Sequence, residues 1–336
     1  MIQSMDTKYA YAVARIRAVE QRMLSRSVLE RMIEVDSAEE AFKVLRDANY
    51  GFSAGESTAY NYEQILSEEL EKVYNLLMEI APNPDAFDLF FIKNDYHNLK
   101  VHLKAELSNQ EVYEHYLAAP SLYSADAVAD MFRNRDFSQL PESMQAAVNA
   151  CFEAFSRTAD PQLIDIILDQ ALYSDLLKLA QKLGNPFVRR IVVIMIDTAN
   201  LKIVLRTKLI NKDWEFLERF LIPGGSFEFE FYQKLLELDF DQFPAEYADT
   251  AYSQLLEESM KSFKSSRNLA GFEMLCDNYL MDLLKETKFA IFGIEPLVTY
   301  LLAKELEIKN VRIVMVGKIN QLAQDVIRER LRETYV

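Results

Sequence analysis

Apolar residues recur every three or four positions along most of this chain, the spacing of helices that bury one stripe. Between Thr7 and Leu24 the stripe is Ala12, Ile16, Val19 and Met23. The last segment carries Ile319, Leu322, Val326, Ile327 and Leu331 at comparable spacing. The same period predicts helices around Ser37–Leu45, Tyr62–Ile80, Asp126–Phe132, Met144–Phe155, Leu163–Leu183 and Tyr252–Phe263. Pro-Gly-Gly at 223–225 predicts a sharp turn. Strand and helix signals do not alternate, so the expected fold class is all-α.

Laid over this pattern is an internal repeat. NPDAFDLFFIKNDYHNLKVHLK, NPFVRRIVVIMIDTANLKIVLR and EPLVTYLLAKELEIKNVRIVMV share one spacing, with Pro84, Pro186 and Pro296 each 14 positions before Asn98, Asn200 and Asn310. An acid stands three before each Asn (Asp95, Asp197, Glu307), and an aliphatic residue and a base follow it: Leu99-Lys100, Leu201-Lys202 and Val311-Arg312. Proline is tolerated in a first helical turn, because its missing N–H has no partner there. Each Pro therefore marks a helix start, and the Asn falls almost four turns later. A weaker echo pairs Phe137-Ser138-Gln139-Leu140-Pro141 with Phe240-Asp241-Gln242-Phe243-Pro244. Asn-to-Asn separations near 100 residues predict three helical subdomains, 1–110, 111–212 and 213–336, rather than a short solenoid repeat.

Acid and Asn three apart share a helix face, where an Asn amide can bond a neighbouring backbone. A polar lock that fixes how helices cross within each subdomain is the favoured role for Asn98, Asn200 and Asn310, and a ring of repeated partner contacts the alternative. The basic pairs Lys100/Lys104 and Lys202/Arg206, with Arg312 in the third copy, suit either a structural role or partner contacts.

Composition supports the helical reading, since only 8 Gly and 9 Pro in 336 residues leave few tight turns for an all-β fold. The net charge of −15, from 52 acids and 37 bases, repels phosphate backbones, and no local basic patch offsets it, so nucleic acid is not an expected partner. Cys151 and Cys276 form neither a CxxC pair nor a disulfide framework. Asp6 and Lys8 interrupt the place where a secretion signal has its apolar run, so none is expected. Ile191–Ile196 and Phe289–Ala303, the latter broken by Glu295-Pro296, fall short of the ~20 apolar residues of a bilayer span.

Catalytic signatures are missing. The chain has no GxxxxGK[ST], GxGxxG or GxSxG sequence and no DDxxD motif. His97 and His102 lie five apart, not at the i, i+4 spacing of helical zinc ligands, and His115 stands alone. Neither a cofactor nor a metal is expected.

The segment YAYAVARIRAVEQRML, the NDYHNLKVHLK and DTANLKIVLR helices, and the C-terminal Glu295-Pro296, Asn310-Val311-Arg312, Gly317-Lys318, Ile327-Arg328, Arg330-Leu331 and Tyr335-Val336 resemble one family. Its members are the C subunits of the bacterial and archaeal A/V-type ATPases and the d subunits of the eukaryotic vacuolar enzyme. The resemblance implies a funnel of three similar helical subdomains around a central cavity. It implies a non-catalytic central-stalk subunit at the cytoplasmic face of the membrane, joining the central shaft of the soluble head to the proteolipid rotor ring. The two would then turn together and couple ATP hydrolysis or synthesis to proton or sodium transport. Arg15, Arg17 and Lys318 of the matching segments join the repeat residues as candidates for partner contact.

Charge is unevenly spread: residues 213–260 hold 12 acids and 2 bases, a net of −10. A solvated surface is the favoured reading of that block, and an eccentric grip on a basic partner the sharper one. Two further classes fit the same features: a free-standing helical scaffold, and an all-α enzyme whose site no motif reveals.

Overall fold

The computed structural model describes residues 7–50, 58–266 and 269–336; Asp6, which argues against a leader, lies outside them. Every regular element among the described residues is helical. Helix α1 (Ala10–Glu20) leads into four that end on the first repeat motif: α2 (Arg26–Glu34), α3 (Ala38–Asp47), α4 (Tyr62–Ile80) and α5 (Asp88–Leu107). The second set is α6 (Ala125–Asn134), α7 (Glu142–Thr158), α8 (Gln162–Leu183) and α9 (Pro186–Leu209). After the short α10 (Trp214–Glu218), the third set comprises α11 (Phe229–Glu237), α12 (Phe243–Glu246), α13 (Ser253–Ser266), α14 (Ala270–Glu286) and α15 (Glu295–Ile319), and α16 (Gln324–Arg328) closes the order.

Local chemistry sets several of these boundaries. Ser37 and Glu40 form a reciprocal capping box at the start of α3. Ser124 caps α6 through the Ala127 N–H, and Asn185 caps α9 through the Val188 N–H, with Pro186 in its first turn. Leu140 and Phe243 of the weaker echo are both buried, at the start of α7 and of α12. Helices α2, α11 and α14, which the periodicity did not single out, complete the sets.

The segment after Ile319 departs from the expected single helix. Gln321 adopts a left-handed φ of 54°, and the Leu322 N–H returns to the Gly317 carbonyl at 2.9 Å, which ends α15. Helix α16 is one short turn, and the tail beyond it cannot be helical because Asn310 holds the backbone of Arg332.

The chain falls into two compact units, residues 1–84 with 240–336, and residues 85–239. In the second unit, α5 packs against α6, α7 and α8, the three helices that follow it. In the first, α15 packs in the same way against α2, α3 and α4 from the opposite end of the chain. Leu29, Met32, Ile33, Phe42, Leu45, Ile65 and Leu66 there share one core with Val311, Val314, Met315 and Ile327. Helix α5 thus completes the bundle of the helices after it, and α15 that of helices at the N-terminus. The repeat spacing divides the chain in three, whereas the packing of the backbone divides it in two.

Candidate functional site

Helices α5, α9 and α15 carry the repeated residues, and the asparagines are buried at 1%, 0% and 1% exposure. Each amide both donates to and accepts from one backbone position downstream. Asn98 holds the carbonyl and N–H of Ala118 at 3.0 and 2.7 Å, Asn200 those of Ile222 at 2.8 and 2.9 Å, and Asn310 those of Arg332 at 3.1 and 2.8 Å. The side chain replaces the pairing that a sheet or helix would give these residues, which lie outside any helix. It therefore fixes the crossing segment after each long helix rather than a helix–helix contact.

The acid three residues earlier takes the next N–H groups. Asp95 accepts from Leu122 and Tyr123 at 3.3 and 3.1 Å, and Asp197 from Ser226 at 2.7 Å. Gly225 makes the second approach possible, because a Cβ there would sit 2.2 Å from the Asp197 Oδ1. This gives the Pro-Gly-Gly turn its role. In the third copy Glu307 instead accepts from the Leu24 N–H at 2.5 Å. Leu24 precedes Ser25 and α2 as Tyr123 precedes Ser124 and α6. That contact also explains why α1 stops at Glu20 rather than running to Leu24. Glu307 is itself buried with Lys304, paired at 2.8 Å, and accepts from the Tyr50 hydroxyl at 2.5 Å.

A further repeat position escaped the sequence reading. Asn109, Asn211 and Gln321 stand 11 residues past the repeat Asn, each with a φ of 51–54° that ends its helix. Asn is among the residues that adopt this conformation most readily. Beyond them, Leu217 of α10 and Ile327 of α16 fill equivalent buried places.

The candidate bases are mostly engaged within the fold. Lys100 reaches Asp165 and Asp169 on α8 at 3.3 and 2.8 Å, and Lys104 reaches Asp165 at 2.8 Å. Arg312 forms a two-pronged pair with Glu63 on α4 at 2.7 and 2.9 Å, the same relation in the other unit. Lys318 donates to the Val35 carbonyl at the end of α2. Arg17 pairs with Glu20 at 2.7 Å and donates to the carbonyls of Thr287 and Ala290 at 3.0 and 2.9 Å. Lys202 and Arg206 also have partners. Of the eleven candidates, only Arg15 is exposed with no internal partner among the described residues. In the acidic block all but Glu246 of the twelve acids are exposed, as the solvated reading expects.

Burial pushes the Asp95 carboxyl up to about 6 against the pull of its two N–H donors. His102, four residues past Asn98 where the other copies have Val204 and Val314, is buried and stacked on Phe132 at 5.0 Å, its Nε2 without a partner. Burial lowers its pKa. The unfolded chain then takes up this proton first, so stability is lost as pH falls through about 6.5 and below. His102→Leu is expected to remove that loss. Its stability relative to the parent should rise between about pH 6.5 and 5 by up to about 1.4 kcal/mol per pH unit. Urea titrations at stepped pH measure this. Asp95 gives the opposite trend but titrates in both proteins, so parallel curves would refute the role of His102.

Among the described residues no three potential metal ligands come together. What the site can do is mechanical: side chains of the long helices fasten the segments that follow them, and in the last copy a segment from the chain's beginning. Known proteins are similar over nearly the whole length. Over 320 residues the chain is 27% identical to the C subunit of the V-type sodium ATPase of Enterococcus hirae, covering 95% of this chain and 97% of that one. It is 25% identical to the C subunit of the A-type ATP synthase of Methanocaldococcus jannaschii, over 96% of this chain and 86% of the relative. For the corresponding A-type ATP synthase protein of Thermococcus kodakarensis the figures are 24%, 97% and 91%. The model of the ATP synthase (C/AC39) subunit family matches residues 12–330. With all three repeat motifs, Pro84 to Asn98, Pro186 to Asn200 and Pro296 to Asn310, inside that match, this chain belongs to the ATP synthase (C/AC39) subunit family.

Proposed function

We propose that the chain is the non-catalytic central-stalk subunit of a V/A-type rotary ATPase, a socket between the central shaft of the soluble head and the membrane rotor ring. The observation that carries this reading is the family match over residues 12–330. A free-standing scaffold would share the helical repeats, but the three relatives named above are all ATPase or ATP synthase subunits. The three copies, 1–110, 111–212 and 213–336, would surround the foot of the shaft.

The locks suit the task. A part that passes torque must not yield between its elements, and each repeat helix is bonded to the segment after it by directional contacts, fully buried at Asn200 and Asn310. No helix among the described residues is long and apolar enough to cross a membrane. The hold on the ring is therefore a peripheral interface at the cytoplasmic face, with charged contacts sensitive to salt.

Reconstitution tests this. Membranes assembled without the protein are expected to lose ATP-driven ion movement completely, while the soluble head continues to hydrolyse ATP. Normal pumping in its absence would sink the proposal.

A further inference from the structure

The turn between α14 and α15 displays two large apolar side chains, Phe289 at 88% exposure and Ile291 at 64%. The display is built rather than slack. Arg17 donates to the carbonyls of Thr287 and Ala290 at 3.0 and 2.9 Å, bracketing Phe289. The Ala290 N–H closes on the Thr287 carbonyl at 2.9 Å, and the Thr287 hydroxyl is tied to that of Thr299 on α15 at 2.6 Å. Gly293, with φ of +86°, returns the chain to the buried Ile294 at the start of α15. These bonds hold the backbone of the turn that presents Phe289.

We propose that this turn is an apolar prong that inserts shallowly at the headgroup–acyl boundary of a lipid bilayer. The proposal deepens the stalk reading and rests on it, since that reading holds the chain at a membrane. Patch size argues for lipid over a protein socket. A protein interface gathers ~20–30 residues a side around an apolar centre, whereas here the exposed neighbours Asp282, Glu286 and Lys288 are charged. Isolated apolar tips suit a fluid medium that closes around each side chain. An aromatic ring and an aliphatic chain side by side are also the composition of interfacial anchors, while the neighbouring Lys288 ammonium lies over the Tyr335 ring at 5.6 Å. The overall charge of −15 opposes binding to anionic lipid, so the prong adds to other contacts rather than anchoring the chain alone.

The test uses the full chain with the single tryptophan removed (Trp214→Phe) and a probe placed by Phe289→Trp. Vesicles of phosphatidylcholine and phosphatidylglycerol are added, with bromine on the acyl carbons near the headgroup in one set. The F289W emission should shift blue and be quenched by the brominated lipid. In the otherwise unaltered chain, Phe289→Ser with Ile291→Ser should weaken vesicle partition at least about tenfold. Unshifted emission, or equal partition of parent and double variant, would overturn the prong. So would emission that responds to detergent-solubilised rotor ring but not to vesicles, which would make the occupant a protein. Co-purification of the parent from native membranes is followed in parallel. ATPase subunits recovered without vesicle binding overturn the prong and leave the stalk reading standing; vesicle binding without ATPase subunits does the reverse.

Discussion

Asn200→Leu is expected to lower the unfolding free energy by about 2–6 kcal/mol, because it strands both the N–H and the carbonyl of Ile222 at roughly 1–3 kcal/mol each. Asn200 is fully buried, and both bonds lie away from water. Leucine fills similar volume but can neither donate nor accept, so the loss is of polar satisfaction rather than packing. Against a typical stability of about 5–15 kcal/mol, such a change is a large fraction of the whole. The three copies supply an internal control. Asn310 sits in an equally dry place, whereas the Asn98 bonds to Ala118 are partly accessible to water, which can replace them. The expected order of damage is therefore Asn200 and Asn310 first, Asn98 last. Urea titrations at neutral pH read this order. Unchanged midpoints with lost binding to ATPase subunits would instead make these asparagines partner contacts.

Glu307→Leu is expected to cost about 3–5 kcal/mol, the scale of breaking a buried pair while leaving one charge behind. Burial pulls the pKa of the Lys304 ammonium down, but Glu307 and Glu69 outweigh it and hold the group above the usual lysine value. Without Glu307, Lys304 keeps, among the described residues, Glu69 at 3.1 Å and more accessible, and the face of the Tyr50 ring. The Leu24 N–H and the Tyr50 hydroxyl lose their acceptor at the same time. Glu307→Gln keeps an acceptor for Leu24 and should be milder. Removing the stranded charge by pairing Lys304→Met with Glu307→Leu should recover part of the loss. A double variant no more stable than Glu307→Leu alone would show that the damage comes from the freed N–H and hydroxyl. Hydrogen exchange at Leu24 separates the two causes directly.

The offset of 14 from Pro to Asn and the acid at −3 were legible because a helix gives fixed spacing a fixed meaning. Both residues fall on one face, and Pro186 and Pro296 stand in the first turns of α9 and α15, whereas Pro84 opens the 3-10 turn Pro84–Phe87 that leads into α5. Helix α4 runs over the residues its stripe predicts, Tyr62–Ile80. What the side chains bond was not legible, since Ala118, Ile222 and Arg332 share no residue type. An Asn that pairs with backbone leaves no mark on its partner's sequence. The helix ends at Asn109, Asn211 and Gln321 were in principle readable, but a tolerance for left-handed backbone is a weaker signal than an apolar stripe.

By itself, then, the sequence determined the all-helical class, the threefold repetition and the chemistry of the lock: period, proline and paired polar residues are local properties that one chain segment carries alone. Only the tertiary structure decided that the last copy closes on the first, with α15 completing the α2–α4 bundle and Glu307 reaching Leu24 across 283 positions. It also decided that Lys100, Lys104, Arg312 and Lys318 are spent inside the fold. The physical reason is common to both. A buried polar group needs some partner within hydrogen-bond reach, and which one it finds depends on the segments that packing brings near, not on distance along the chain.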